Sequence, residues 1–389
     1  MKKHFLVIWP TIRKDWISTF LELKDEFHFT FIPSLFPQTP NYAKGFDCHY
    51  WSEFTSVNDM LDQLKPDAVI YMSIESGLSI ALNTLAKKRG IKTYVLQHGI
   101  FTNYKDYRIR EKLWRKGGKA KEAKIESSAA GFSTGRFLKN SFKPKSLWRL
   151  FPILIYTRAQ QKIGPYWASR YIPLKMKRAD EYLCFSPNNA TIHRETDRIS
   201  ENHITYIGSH ELAKFLKPEE ELILEDFYLH IDQALADNSF GEETVSKESM
   251  VQFYHKLNEY CLSKGARLFI KLHPETYSSN WLPNDPNIVY LKQVDNLNQY
   301  MQSARACFGF YSTMIVPAVY WKPTCLFKIF YSGLQEALLK EVNLPVLGFF
   351  DFTKEEISFS NDPDKEVRQS IKENFINPSG SVLLNSALS

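Results

Sequence analysis

The chain has 389 residues, 44% apolar and 24% charged, which excludes large-scale disorder and is long for one hydrophobic core, so two domains are expected. Its net charge of +6 is uneven, because basic residues far outnumber acidic ones between Lys105 and Arg149, and that local excess is more informative than the total. The five cysteines (Cys48, Cys184, Cys261, Cys307 and Cys325) form no CxxC pair and no Cys/His cluster, so neither a disulfide framework nor a zinc site is expected.

The start, Met1-Lys2-Lys3-His4 and then Phe5–Pro10, has too short an apolar run for a signal peptide and lacks a small-residue cleavage site. It reads as a first buried strand, Phe5–Trp9. No run approaches the roughly 20 apolar residues of a spanning helix. The expectation is a cytoplasmic protein that a basic surface could bring to the inner face of a membrane.

Along the first half, Trp16–Lys24 has helical spacing and Phe27–Ile32 reads as a second strand. Asn58–Gln63 looks helical, Asp67–Met72 is a strand, Ser79–Arg89 is a helix ended by Gly90, and Lys92–Leu96 is the next strand. Such alternation predicts βαβ units and a parallel sheet. From Thr102 to Lys145 the pattern is poorly periodic and basic. Leu147–Tyr156 is then apolar, and Glu181–Phe185 and His203–Ile207 read as strands.

A second α/β unit begins near residue 220. Its expected strands are Asp226–Ile231, Arg267–Leu272, Ile288–Leu291, Ala306–Phe310 and Pro323–Phe327. Its expected helices are Lys247–Lys264, Asn296–Ser303 and Met314–Tyr320, and the tail from Thr353 reads as polar helix and then coil. The domains are therefore placed at 1–215, with a basic insertion near 102–146, and at 216–389.

In open parallel sheets, ligands bind beyond the carboxyl ends of the strands, so the residues that follow each strand are the candidates. In Gln97-His98-Gly99 a strand ends at a turn. An imidazole, with an unperturbed pKa near about 6.5, could take a proton there, or it could simply bond to backbone. Glu75, in Ser73-Ile74-Glu75-Ser76-Gly77, is the other candidate base, and also the kind of residue a helix dipole favours. Lys271-Leu272-His273-Pro274 ends a strand. A His there could donate to a phosphate oxygen, although His-Pro is also an ordinary loop dipeptide. Ser312-Thr313 before a helix is an anion site or a plain N-cap. Asp232-Gln233 opens a loop, 236–244, that could cover a ligand or merely connect.

The order Gln97-His98-Gly99, His273-Pro274, Ser312-Thr313 before a helix, and Lys322-Pro323-Thr324 resembles GT-B-fold glycosyltransferases of bacterial surface polysaccharides. Within that group it is similar to bacterial sialyl- and polysialyltransferases, Kdo transferases and CDP-glycerol glycerophosphotransferases. The resemblance implies an α/β, GT-B-like fold, with two Rossmann-like domains facing across a cleft. It implies that His273 and Pro274 lie near the nucleotide phosphate and that Ser312 and Thr313 bind phosphate. Lys271, Asp232 and Gln233, at the ends of strands in the same half, are read as donor-side residues as well. It implies His98 as base by likeness to the glycerophosphotransferases. The paired-acidic-then-Gly motif of the sialyltransferases is not found in the first half, where Gly241-Glu242-Glu243 has no counterpart, being reversed and in the second half. The base is left open between His98 and Glu75.

The implied reaction is an inverting transfer of a sugar from a nucleotide-activated donor, with a CMP-sugar favoured, to a glycan or lipid-linked glycan acceptor. No metal or other cofactor is implied, and Asp362-Pro363-Asp364 in the polar tail reads as a loop. The alternatives are a CDP-glycerol-type glycerophosphotransferase, a nucleotide-sugar epimerase, and a non-catalytic polysaccharide- or lipid-binding protein. The basic and apolar segment 105–156 suits an anionic membrane surface. No nucleic-acid-binding module is recognised.

Overall fold

The structure, a computed structural model, describes residues 2–14, 16–99, 132–237, 245–329, 332–377 and 380–389. The described chain forms two compact units, one of residues 2–99, 132–211 and 380–389, the other of residues 212–377. Most of the basic stretch, at 100–131, and most of the loop containing Gly241, at 238–244, lie outside the described residues.

The first unit is built on seven strands: β1 (His4–Ile8), β2 (His28–Phe31), β3 (Asp47–Cys48), β4 (Ala68–Tyr71), β5 (Lys92–Leu96), β6 (Glu181–Cys184) and β7 (Ile204–Tyr206). They lie in the order β3-β2-β1-β4-β5-β6-β7, and every neighbouring pair is parallel. A parallel sheet covered on both faces needs strands that are apolar throughout. Phe5-Leu6-Val7 and Ala68-Val69-Ile70-Tyr71 meet that demand, each residue being fully buried. The helix Gly77–Lys88 returns the chain from β4 to β5, started by the Ser76 hydroxyl, which accepts the Ser79 N–H at 3.0 Å.

The second unit has six strands: β8 (Phe227–Ile231), β9 (Arg267–Lys271), β10 (Ile288–Leu291), β11 (Cys307–Gly309), β12 (Thr324–Lys328) and β13 (Val346–Gly348). Their order is β10-β9-β8-β11-β12-β13, again all parallel. Counted from the first strand of the unit, that is the doubly wound order 3-2-1-4-5-6. The helix Lys247–Ser263 lays Met250, Phe253, Tyr254 and Leu257 against the sheet. Phe253 is the hub of an aromatic core, with ring centroids 4.8–5.7 Å from Phe310, Phe327, Phe349 and Phe352. Two parallel sheets flanked by helices are the GT-B-like architecture expected.

Some elements differ from the sequence reading. The stretch read as unpatterned contains a helix, Thr134–Ser141, whose Phe137, Leu138 and Ser141 are buried at helical spacing. The apolar run expected at Leu147–Tyr156 divides between the end of a turn, Pro144–Arg149, and the first half of a longer helix, Leu150–Ile163. The last residues are not coil belonging to the second half. They form the helix Gly380–Leu388 and group with the first unit. There Lys3 Nζ donates to Leu388 O at 2.6 Å, Asn385 donates to the Glu26 carboxylate, and Leu384 and Leu388 are buried.

Candidate active site

In the second unit the strand order reverses between β8 and β11, the place where a doubly wound sheet opens a crevice at its carboxyl edge. Register sets what emerges there. Gly309 pairs with Ile231, and Ile231 with Lys271, so Phe310, Asp232 and Leu272 leave the sheet side by side. One to three residues further on come Gln233, His273, Pro274, Ser312 and Thr313. The donor-side residues expected from sequence therefore share one edge.

Hydrogen bonds hold these loops together. The Asp232 N–H donates to Lys271 O at 3.0 Å, and the Tyr311 N–H donates to Gln233 Oε1 at 3.4 Å. Gln335, buried in the helix Gly333–Glu341, donates through Nε2 to Phe310 O at 2.9 Å and to Phe327 O at 2.8 Å. Gln335 thus ties the start of the Ser312 loop to β12. Ser312 Oγ accepts the Met314 N–H at 3.3 Å, and the helix Ile315–Trp321 follows. Gly309 lets that helix sit close, since a Cβ there would lie 2.2 Å from Ile315 Cδ1.

His273 begins a short turn, and its Nδ1 accepts the Glu275 N–H at 3.3 Å. That bond places the proton of a neutral ring on Nε2, which makes that nitrogen a hydrogen-bond donor. Lys271 Nζ donates to Leu272 O at 2.7 Å and to Tyr277 OH at 3.3 Å. Burial pushes its amine down, and Asp232 pulls the other way. Asp232 is 3% exposed and accepts from Tyr254 OH at 2.9 Å, while its Oδ2 has no partner among the described residues. His230, not anticipated from sequence, is fully buried with its Nε2 3.7 Å from Asp232 Oδ1. Lys322-Pro323-Thr324 lies at the opposite, amino end of β12.

In the first unit the two candidate bases follow adjacent strands, Glu75 after β4 and His98 after β5. Gln97 is 5% exposed and joins the β5 and β6 ends. Its Oε1 accepts the Phe185 N–H at 3.1 Å, and its Nε2 donates to Gly99 O at 3.1 Å. Gly99 has φ +70°, a conformation that favours glycine. His98 is half-buried, with its ring edge-on to Trp9 and Trp16 at 5.8 and 5.0 Å. The sequence alone did not place those two tryptophans.

Glu75 has a different setting. Its Oε1 receives Lys177 Nζ at 2.6 Å, and its Oε2 accepts from Tyr156 OH at 2.7 Å and Gln160 Nε2 at 2.9 Å. Lys177 is 3% exposed and also meets Tyr156 OH at 2.7 Å, Ser169 Oγ at 3.0 Å and Asp197 Oδ1 at 3.2 Å. Burial alone would push the Lys177 amine down, but the Glu75 and Asp197 carboxylates overcome it and hold it well above its ordinary value. Burial likewise opposes ionisation of Asp197, and the Lys177 ammonium wins, leaving that carboxyl at about 2.

Among the described residues no group of three or more His, Cys, Asp or Glu side chains is placed to hold a metal. Asp364, in the one Asp-x-Asp, caps the helix Lys365–Ile371, accepting the Val367 N–H at 2.8 Å. No described helix is long and apolar enough to cross a membrane.

Solved structures of known proteins share the fold. The chain superposes on the glycotransferase of kitacinnamycin with a TM-score of 0.54 at 14% identity, covering 100% of both chains. The calicheamicin glycosyltransferase CalG4 gives 0.52 at 13% identity, over 98% of this chain and 94% of that one. A putative UDP-N-acetylglucosamine 2-epimerase from Listeria monocytogenes gives 0.51 at 10% identity, over 100% and 95%. At such identities the likeness is one of fold, and it spans transferases and an epimerase, so it does not choose a reaction. No curated protein matches the sequence. A family model does: alpha-2,8-polysialyltransferase (POLYST), over residues 52–324, a span that takes in every candidate from Glu75 to Thr313. With more than half its length inside that match, the chain belongs to the alpha-2,8-polysialyltransferase family and is a glycosyltransferase of the GT-B type.

Proposed function

We propose that the protein transfers a sugar from a CMP-activated donor, of the sialic-acid type that the family name suggests, to a surface-glycan or lipid-linked glycan acceptor, with inversion. The observation that carries this reading is the placement of the His273 turn, whose Nδ1 accepts the Glu275 N–H, beside Lys271 and the Ser312 loop on the carboxyl edge of the second sheet.

In this reading His98 removes the proton of the acceptor hydroxyl. The freed oxygen attacks the anomeric carbon as the bond from that carbon to the phosphate oxygen breaks. CMP departs with the bonding pair, and its phosphate oxygen accepts a hydrogen bond from His273 Nε2–H. Lys271 and the hydroxyls of Ser312 and Thr313 offset the remaining negative charge. Asp232, Gln233 and Pro274 shape the donor loops. His98 is preferred to Glu75 because both Glu75 oxygens are already engaged, one by the Lys177 ammonium and the other by Tyr156 and Gln160.

A thermal-shift series with CMP, CDP, UDP and GDP, run on wild type and His273→Ala, tests the donor site. Binding to the folded state raises the apparent melting temperature. The reading predicts a shift with CMP that His273→Ala loses. A larger CDP shift would favour the glycerophosphotransferase alternative. No shift with any nucleotide would contradict the donor site and point to the non-catalytic alternative.

A further inference from the structure

The helix Leu150–Ile163 has two faces of opposite fate. Ile153 and Tyr156 are fully buried in the core of the first unit. The opposite side carries Phe151, Leu154 and Ile155, spaced i, i+3 and i+4 on one stripe. They are 65%, 43% and 57% exposed, and Trp148, in the turn just before the helix, is 63% exposed. Single exposed apolar residues are ordinary, but a contiguous group marks an interaction surface. The same stripe continues into Arg158 and Lys162, and Arg149 lies over the Trp148 ring at 5.3 Å. No Asp or Glu occurs anywhere from Phe132 to Ala179.

We infer that this stripe docks on the surface of an anionic lipid bilayer, with Trp148, Phe151, Leu154 and Ile155 entering the headgroup region and Arg149, Arg158 and Lys162 meeting lipid phosphates. An apolar stripe, an interfacial Trp and flanking cations without acids are the composition of a helix that lies in the interface. At 14 residues the helix is about 21 Å long, short of the roughly 30 Å hydrocarbon core, so it lies on the membrane and does not cross it. A second copy is the poorer occupant. A two-fold contact through this stripe would bring Arg149 and Arg158 of one chain against the same cations of the other. The inference does not depend on the donor assignment.

The test is flotation of the full chain with vesicles of phosphatidylcholine alone and of an equal mixture with phosphatidylglycerol. Binding to the mixed vesicles, weak binding to phosphatidylcholine alone, and release by high salt are expected. Phe151→Ser combined with Ile155→Ser should lower the partition coefficient about tenfold or more. Arg158→Glu combined with Lys162→Glu, a pair that leaves the apolar stripe intact, should abolish the preference for the mixed vesicles. All four positions are exposed, and an unchanged melting temperature shows that each variant is folded. Equal binding to both vesicles, no binding, binding by both variants as by wild type, or self-association without vesicle binding would each overturn the inference.

Discussion

Lys177 Nζ sits 2.6 Å from Glu75 Oε1 and 3.2 Å from Asp197 Oδ1 with only 3% of its side chain exposed, so one buried ammonium joins the loop after β4 to the end of the helix Pro187–Thr196. A charge taken out of water is tolerated when it is paired and hydrogen-bonded. Tyr156 and Ser169 supply the remaining partners.

Removing the ammonium alone leaves two carboxylates without their cation. Lys177→Met is expected to cost about 3–5 kcal/mol of unfolding free energy in urea titrations. Adding Glu75→Gln should recover part of that loss, because one of the stranded charges is then gone. A single variant as stable as wild type would show that the cluster contributes little.

The same pair sets a pH dependence. Asp197 is held at about 2 in the folded state, below the roughly 3.9 of an unfolded chain. Its contribution is therefore present above about pH 4 and lost as pH falls towards 2, on the order of 2 kcal/mol in all. In Lys177→Met the burial of Asp197 is opposed only by His193, so the acid arm of the stability profile should move to higher pH. Urea midpoints across pH 2–6 check this, and identical acid arms would contradict it.

Gly309→Ala places a methyl 2.2 Å from Ile315 Cδ1, and Ile315 is fully buried. Overpacking of this kind costs about 1–3 kcal/mol. The helix that moves begins three residues after Ser312, so the nucleotide-induced thermal shift should shrink as well. Ile315→Val removes the atom met first and should restore part of both in the double variant. Full stability in the single variant would show that the helix gives way freely.

Most of what positions the candidate site is locally written. Short apolar runs such as Leu268-Phe269-Ile270 and Cys325-Leu326-Phe327 announce buried parallel strands. The residues just after them then sit at the carboxyl edge. The Lys177 cluster has no such signature. Its members are far apart in sequence, and Lys175-Met176-Lys177-Arg178 looks like a solvated basic run until the fold buries one of its lysines. Trp9 and Trp16 likewise meet His98 only because β1 lies near β5 in the sheet. Gln335 is one polar residue in an ordinary helix until its two carbonyl partners are known. The final helix was missed because what holds it, Lys3 and Glu26, stands at the other end of the chain.

The most direct test is the release of CMP from a CMP-sialic acid donor, with and without a glycan acceptor, for wild type and His273→Ala in parallel. The account predicts release that requires the acceptor and a kcat lowered about 10²–10³-fold in the variant, the range expected when one hydrogen-bond donor to the developing oxyanion is lost. Donor turnover at the same rate without acceptor, or a kcat unchanged in His273→Ala, would contradict it.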